Sequence, residues 1–294
     1  MIAAGVNREA LSRTVRRHRE EQNMGFSGKR VLVTGSTTGI GRGAAEMFHA
    51  AGARVAINGR NPESVARAIS EIGPNGLVAA PGHVGTVEGC REIVDAAVRG
   101  LGGLDCLVNN VGIGPIARMM DISEAHWDEV IAVNLRSALF CTKAALAPLR
   151  ASQGSVVVIA SICGLIAGPP DGFVYSVTKA GLIAMTKSLA VELAPDNVRV
   201  NCLCPGYIST PMIVAENALN DGQLYRAISE FTPLGRIGTV RECASAILYF
   251  ASEDARYCTG SVLSNDGGCV ANGSWGTLEQ ALEPPPPTVV KSGQ

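Results

Sequence analysis

Tyr175 and Lys179 are the residues in this sequence with the clearest chemical potential. They close the segment Tyr175-Ser176-Val177-Thr178-Lys179, which separates a phenol from an ammonium group by four residues. On a helix this spacing places both side chains on one face, where they can meet. A nearby positive charge favours phenolate, and bringing a tyrosine pKa from about 10 to near 7 takes roughly 4 kcal/mol. We therefore expect a lowered pKa for Tyr175 and proton exchange with an alcohol or ketone at neutral pH.

A glycine-rich turn near the start of the chain has the pattern of a phosphate-binding loop. The apolar run at residues 31–33 predicts a buried parallel strand, and a helical pattern begins near residue 40. Between them lie Gly35, Gly39 and Gly41, spaced Gly-x-x-x-Gly-x-Gly rather than Gly-x-Gly-x-x-Gly. Glycine lets backbone approach a diphosphate closely, and the N-terminus of the next helix offers free N–H groups. The order of strand, glycines and helix predicts a dinucleotide site.

Together with five further segments, these features resemble the short-chain dehydrogenase/reductase family over roughly residues 25–271. The Thr34–Gly41 segment is similar to the family's cofactor motif, and Tyr175 with Lys179 is similar to its Tyr-x-x-x-Lys motif. The other five segments are Asn109-Asn110-Val111-Gly112, Val133-Asn134-Leu135, Ser161 after the strand at 156–160, Pro205-Gly206 with Thr210, and Asp266-Gly267-Gly268. All seven follow the family's order along the chain.

The resemblance implies an NAD(P)-dependent oxidoreductase that interconverts a ketone and a secondary alcohol by hydride transfer. Tyr175 would be the acid and base, and Lys179 would lower its pKa and hold the nicotinamide ribose. Ser161 would bond the substrate oxygen, and Asn134 would anchor a water chain that refills the proton. The cofactor contacts that the resemblance implies are Gly35, Ser36, Thr38, Gly39, Ile40, Gly41, Arg60, His83, Val84, Asn110, Val111, Gly112, Tyr175, Lys179, Pro205, Gly206, Ile208 and Thr210.

Three departures from the family pattern leave a second class of function open. Val111 replaces the usual alanine, and His83 stands where an aspartate usually lies near the adenine. The interval from Ser161 to Tyr175 is 14 residues, one more than usual, and we place the insertion at residues 169–172. A dinucleotide-binding sensor without turnover would tolerate all three changes, although the complete catalytic set favours an enzyme.

The end of the second predicted strand favours NADP, with NAD as the alternative. Residues 54–58 lead into Gly59-Arg60-Asn61. An acidic residue at that strand end would bind the ribose hydroxyls of NAD and repel a 2′-phosphate. Gly59 removes the repulsion, and Arg60 can pair with a phosphate as a planar fork. Thr37 and Thr38 add no second basic residue in the glycine loop.

Composition limits the other classes of function. The net charge of −1 over 294 residues gives no bulk attraction for nucleic acid or anionic membrane. The sequence contains no apolar run of 18 residues, so we expect no membrane-spanning helix. Nine scattered cysteines indicate reduced thiols in an intracellular, cytoplasmic protein. Cys202 and Cys204 form the one close pair, and because none of the four histidines clusters with them we expect no metal site.

Alternating strand and helix signals predict an α/β fold, a single Rossmann-type domain with a doubly wound parallel sheet of about seven strands. Strands are predicted near 30–34, 54–58, 77–81, 105–109, 155–160, 198–203 and 261–265, and helices near 40–51, 62–72, 86–99, 123–149, 173–194 and 239–252. Residues 207–236 break this rhythm and indicate a lid. Residues 1–24 are predicted to be an extension, helical or disordered, and residues 272–294 a Pro-containing tail.

The residues around the predicted site suggest a small, fairly apolar carbonyl or alcohol substrate. The loop at 164–170 is apolar, and Ile208, Met212, Ile213 and Val214 extend this character into the lid. An NAD-dependent dehydrogenase of a sugar acid, steroid or cyclic alcohol is the alternative. Members of the family that act on acyl carrier protein often have arginine at the positions where this chain has Phe140 and Val191. The resemblance therefore argues against a carrier-bound acyl substrate. The resemblance also implies a homotetramer built through the helices at 123–149 and 173–194.

Overall fold

Seven parallel strands form one sheet, in the order β3-β2-β1-β4-β5-β6-β7. The computed structural model describes residues 25–169, 171–219 and 222–273. The strands are β1 (Arg30–Val33), β2 (Arg54–Ile57), β3 (Leu77–Ala79), β4 (Cys106–Asn109), β5 (Ser155–Ile159), β6 (Arg199–Pro205) and β7 (Val262–Asn265). The predicted seven-stranded doubly wound sheet is confirmed. The predictions for residues 1–24, and for all but the first two residues of the tail, lie outside the described residues.

Helices cover both faces of the sheet. They are α1 (Gly39–Ala50), α2 (Pro62–Ile72), α3 (Val87–Leu101), α4 (Glu124–Val130), α5 (Ser137–Ser152), α6 (Phe173–Leu193), α7 (Pro211–Leu219), α8 (Gln223–Phe231), α9 (Val240–Ala251) and α10 (Cys269–Asn272). Helices α3, α5 and α6 build the core on one face, and α1, α2 and α9 build it on the other. Because both faces are covered, the central strands are mostly apolar, and every residue of β4 and β5 is buried.

The strand order reverses between β1 and β4. From β1 the chain proceeds outward to β2 and β3, and it then returns to place β4 on the other side of β1. The loops that follow β1 and β4 therefore diverge and leave a crevice at the carboxyl edge of the sheet. The glycine loop follows β1, and Asn110–Gly112 follows β4, so both sequence motifs reach this crevice.

The helix predicted at 123–149 is present as Glu124–Ser152, but it contains a wider turn that the sequence prediction did not include. A π-helical segment, Ile131–Arg136, separates α4 from α5 and contains Asn134. Such wide turns inside helices are rare and occur frequently at functional sites. The segment predicted as a lid also has more order than its sequence rhythm suggested, because α7 and α8 both lie within 207–236.

The continuous helical stretch Glu124–Ser152 is long and apolar enough to cross a membrane by length and composition alone. Half of its most apolar 18-residue window is buried inside the protein. Ala138, Cys141, Ala145 and Leu149 belong to the core beside the sheet. These contacts are those of a core helix in a globular domain.

Candidate active site

Two contiguous cavities lie above the carboxyl edge of the sheet. The first, here called the cleft, has a volume of about 410 Å³ and lies over the glycine loop and the ends of β2 and β3. The second, here called the chamber, has a volume of about 390 Å³ and lies over the ends of β5 and β6. Ile40, Asn110, Gly112, Ile113 and Thr210 line both cavities. An elongated molecule bound in the cleft can therefore reach into the chamber.

A larger cavity, about 530 Å³, lies at the opposite edge of the sheet. Several of its charged groups are already engaged. Asp105 binds Arg30, and Arg199 donates to the carbonyl oxygens of Phe250, Ser252, Ala255 and Cys258. None of the predicted site residues lines it.

The glycine loop has the geometry of a diphosphate cradle. Gly35 and Gly39 have φ angles of +63° and +58°, in the left-handed region that favours glycine. A Cβ on Gly35 would approach Val111 Cγ2 to 2.9 Å. Thr38 is the N-cap of α1 but makes no side-chain capping bond, so the first-turn N–H groups face the cleft without that partner. The loop therefore fits the diphosphate of a nicotinamide dinucleotide.

Two residues predicted as cofactor contacts, Ser36 and Gly41, do not line the cleft or the chamber. Ser36 is fully buried, and its hydroxyl donates to Val33 O at 2.7 Å and accepts from Asn58 N at 2.9 Å. Gly41 is also buried, and a Cβ there would come within 2.4 Å of Asn110 Nδ2 and of Gly35 O. The geometry gives both residues a structural role in holding the loop against β2 and β4.

The remaining predicted cofactor residues line one of the two cavities. Those in the cleft are Gly35, Thr38, Gly39, Ile40, Arg60, His83, Val84, Asn110, Val111, Gly112 and Thr210. Those in the chamber include Tyr175, Lys179, Pro205, Gly206 and Ile208. Sequence reasoning missed Asn58, whose side chain accepts from Gly35 N at 3.0 Å and donates to Ala80 O at 2.9 Å. Its place beside the Gly59-Arg60 pair is the signal that could have found it.

Tyr175, Lys179 and Ser161 meet at the wall of the chamber. Helix α6 carries the first two residues, and the Lys179 Nζ lies 5.2 Å from the centroid of the Tyr175 ring. Lys179 Nζ also donates to Ile159 O, at the end of β5, at 2.9 Å. Ser161 follows β5, and its Oγ accepts from Cys163 N at 3.2 Å. The end of one buried strand thus carries the serine and binds the lysine of α6.

The electrostatics of this wall correct the prediction of an acidified tyrosine. Burial raises the pKa of Tyr175 above its ordinary value, and the hydrogen bond with Ser161 offsets only part of that shift. Burial also lowers the pKa of Lys179 to about 8. Removing a charge from water disfavours the charged form of either group. Because its pKa is raised, Tyr175 is a neutral phenol at pH 7.

Asn134 uses its side chain to connect three elements. Its Oδ1 accepts from Ile113 N, and its Nδ2 donates to Ile113 O, both at 2.8 Å. Nδ2 also donates to Thr178 Oγ1 on α6 at 3.2 Å. The amide therefore joins the π-helical segment to the loop after β4 and to α6. It does not line either cavity, and its predicted role in a water chain stays a prediction.

The loop before α6, where we place the insertion, reaches the chamber. Pro169 and Gly172 line the chamber. Asp171 O accepts from Ala117 N at 2.9 Å, which ties this loop to the segment after β4. Cys163, Ile113 and Tyr207 also line the chamber. Among the described residues, no group of three or more His, Cys, Asp or Glu side chains could hold a metal ion.

Comparisons with known proteins agree with this geometry. Residues 35–270 match a family model described as enoyl-(acyl carrier protein) reductase. An uncharacterised oxidoreductase of Thermotoga maritima is 38% identical over 84% of this chain and 100% of its own length. Human dehydrogenase/reductase SDR family member 4 is 35% identical over 83% of this chain and 88% of its own length.

A solved structure has the same fold. It is provisionally assigned as a short-chain alcohol dehydrogenase from Sinorhizobium meliloti, and its TM-score with this chain is 0.79. The two are 36% identical, over 84% of this chain and 98% of the other. The relatives and this structure therefore share nearly the whole described domain.

The raised pKa of Tyr175 can be measured directly. We expect the tyrosinate absorbance of the coenzyme-free protein, minus that of Tyr175→Phe, to show no ionisation below about pH 10, because desolvation disfavours the phenolate. The measurement is a spectrophotometric pH titration of both proteins, with Tyr249→Phe as a control for removal of a phenol outside the chamber. A component that ionises near neutral pH in the wild type and is missing only in Tyr175→Phe would contradict the expectation.

Proposed function

The chain belongs to the short-chain dehydrogenase/reductase family, and on that basis we propose that it is an NADP-preferring carbonyl reductase or secondary alcohol dehydrogenase. One observation carries the proposal. Tyr175, Ser161 and Lys179 converge on a chamber that opens into a cleft shaped for a dinucleotide. A phenol, a hydroxyl and a cation at one wall suit proton transfer to an oxygen that gains negative charge.

Each of the three residues at the chamber wall has its own role in carbonyl reduction. A bound nicotinamide coenzyme supplies the hydride in reduction and accepts it in oxidation. Tyr175, neutral at pH 7 because burial raises its pKa, holds the proton that the carbonyl oxygen receives. Ser161 can donate a second hydrogen bond to that oxygen. As Tyr175 loses its proton, the ammonium of Lys179, 5.2 Å from the ring centroid, stabilises the phenolate.

The residues that line the chamber support the proposal of an uncharged, fairly apolar substrate. Among its described lining residues Lys179 is the only charged side chain, and it is already bonded to Ile159 O. Ile113, Ile116, Ile162 and Ile213 contribute much of the remaining surface. A carboxylate or phosphate in the chamber would lose its hydration without gaining a dedicated counter-ion, which is costly. The chemistry therefore favours a ketone or secondary alcohol over a sugar acid.

The residues that follow β2 support the proposed preference for NADP over NAD. Arg60 lines the cleft, and among the described residues its guanidinium has no ion pair or hydrogen-bond partner. Gly59 is buried, and a Cβ there would lie 2.6 Å from Thr37 Cγ2. An acidic side chain at position 59, of the kind that binds the ribose hydroxyls of NAD, would have to displace Thr37. A 2′-phosphate beside Arg60 meets a free cation and no carboxylate at residue 59.

Exposed apolar side chains on α5 and α6 support the proposed homotetramer. Leu139, Phe173 and Val191 are exposed on these helices, and Val191 has 79% of its surface in contact with solvent. Burying such side chains in an interface would stabilise an assembly. Light scattering should give four times the chain mass, and a monomer mass would contradict the assembly.

Replacing the phenol tests the proposed function most simply. Tyr175→Phe keeps the ring but removes the transferable proton, so we expect turnover with NADPH and a panel of apolar ketones to fall by about 10²- to 10⁴-fold. Binding of NADPH, followed by its fluorescence, should change little. Tyr249→Phe serves as the control and should keep wild-type turnover. Normal turnover by Tyr175→Phe would refute the proton-transfer role, and no turnover by the wild type would favour a dinucleotide sensor.

Removing the guanidinium tests the coenzyme preference. We expect Arg60→Leu to lower kcat/KM for NADPH by about 10-fold or more, because a charge-assisted bond to the 2′-phosphate is worth roughly 1.5–3 kcal/mol. The value for NADH should stay within about twofold, since NADH has no such phosphate. Arg67→Leu, which removes an exposed arginine from α2 outside the cleft, is the matched control. Equal losses with both coenzymes, or a wild type that prefers NADH, would contradict the assignment.

A further inference from the structure

We infer that Thr178 is a positioning residue that holds Tyr175 in register with the π-helical segment. The inference rests on the proposed function, because it concerns how the chamber wall is kept in place. Thr178 lies between Tyr175 and Lys179 in sequence, yet its side chain points into the protein and is fully buried. It does not line the cleft or the chamber, so it can act on the reaction only through its neighbours.

The hydroxyl of Thr178 makes two hydrogen bonds, one as the donor and one as the acceptor. Its Oγ1 donates to Tyr175 O at 2.7 Å and accepts from Asn134 Nδ2 at 3.2 Å. Asn134 in turn holds both the N–H and the carbonyl of Ile113, a residue of the chamber wall. One continuous path of hydrogen bonds therefore joins the backbone of Tyr175 to the loop after β4.

This path joins three elements that are not connected by regular backbone hydrogen bonds. Tyr175 lies in the first turn of α6, Asn134 in the π-helical segment, and Ile113 in an irregular loop. None of these can form regular secondary-structure bonds with the others. The side chains of Asn134 and Thr178 supply the connection instead, and displacements of about 1 Å at such a site are enough to reduce turnover strongly.

Loss of the Thr178 hydroxyl would leave a buried N–H of Asn134 without an acceptor. Without Thr178 Oγ1, one N–H of Asn134 Nδ2 keeps no acceptor in a fully buried position, and the first turn of α6 loses its tie to the π-helical segment. A buried unsatisfied donor is costly, so the surrounding elements will shift to relieve it. That shift changes the position of Tyr175 relative to Ser161 and Ile113, which should affect the chemical step more than coenzyme binding.

The chain offers a matched control for this residue. Thr186 lies later on α6, is also fully buried, and donates to Leu182 O at 2.8 Å. Replacing either threonine with valine removes one buried hydroxyl bonded to a carbonyl of the same helix. The second partner of Thr178 is Asn134, whereas that of Thr186 is the Cys202 thiol. The general cost of losing a buried, bonded hydroxyl should therefore appear in both variants.

The experiment compares Thr178→Val, Thr178→Ser and Thr186→Val in the full chain, with NADPH and the best ketone of the panel. We expect Thr178→Val to lower kcat by about 10-fold or more while the Kd of NADPH and the KM of the ketone stay within about twofold. Thr178→Ser keeps the hydroxyl and should restore kcat to within about twofold of the wild type, as should Thr186→Val. If Thr178→Val does not accumulate as folded protein, Thr178→Ala replaces it in the comparison.

Hydrogen exchange gives a second readout that does not need turnover. The amide of Ile113, which donates to Asn134 Oδ1, should exchange faster in Thr178→Val than in the wild type or in Thr186→Val. Equal kcat losses in the two valine variants, failure of Thr178→Ser to restore kcat, or unchanged exchange at Ile113 would overturn the inference. A wild type without turnover would refute the proposed function instead, and the exchange comparison would still decide the role of Thr178.

Discussion

Desolvation of Tyr175 and Lys179 is the physical constraint on which the proposed chemistry depends. The two groups share the wall of the chamber, where Lys179 is only 3% exposed and Tyr175 is partly exposed. Burial disfavours phenolate and ammonium alike, so it raises the pKa of Tyr175, lowers that of Lys179 and moves the two values apart. The result is a neutral acid beside a base that is still largely protonated at pH 7. This pair suits proton donation to a carbonyl, with the ammonium ready to stabilise the phenolate that remains.

The rest of the fold places this pair beside the cleft. The reversal of strand order between β1 and β4 creates the crevice, and the ends of β5 and β6 form the floor of the chamber. Lys179 is fixed by the last carbonyl of β5, and Ser161 follows the same strand two residues later. Helix α6 then needs only the correct register to bring Tyr175 to the same point. The hydrogen bonds of Asn134 and Thr178 provide that register.

Much of this arrangement could be predicted from the sequence, because it depends on local patterns. The apolar β-branched strands, the glycine loop and the Tyr-x-x-x-Lys spacing each indicate their structure within a few residues, and the sheet they predict is the one observed. The π-helical segment could not be predicted, since it depends on bonds from Asn134 to a distant loop. The pKa shift of Tyr175 was predicted with the wrong sign, because sequence shows the neighbouring charge but not the depth of burial. The internal bonds of Ser36 were likewise invisible, since a serine in a glycine loop is equally suited to either face.

The measurement that tests the central claim most directly is the pH dependence of a single turnover of ketone reduction with prebound NADPH. A neutral phenol as the proton donor predicts a rate constant that is unchanged from about pH 6 to about pH 7 and falls at higher pH, as Lys179, with its pKa of about 8, loses its charge. A rate constant that rises across the neutral range would show that the step needs a deprotonated group. That result would contradict the role of Tyr175 as a neutral acid.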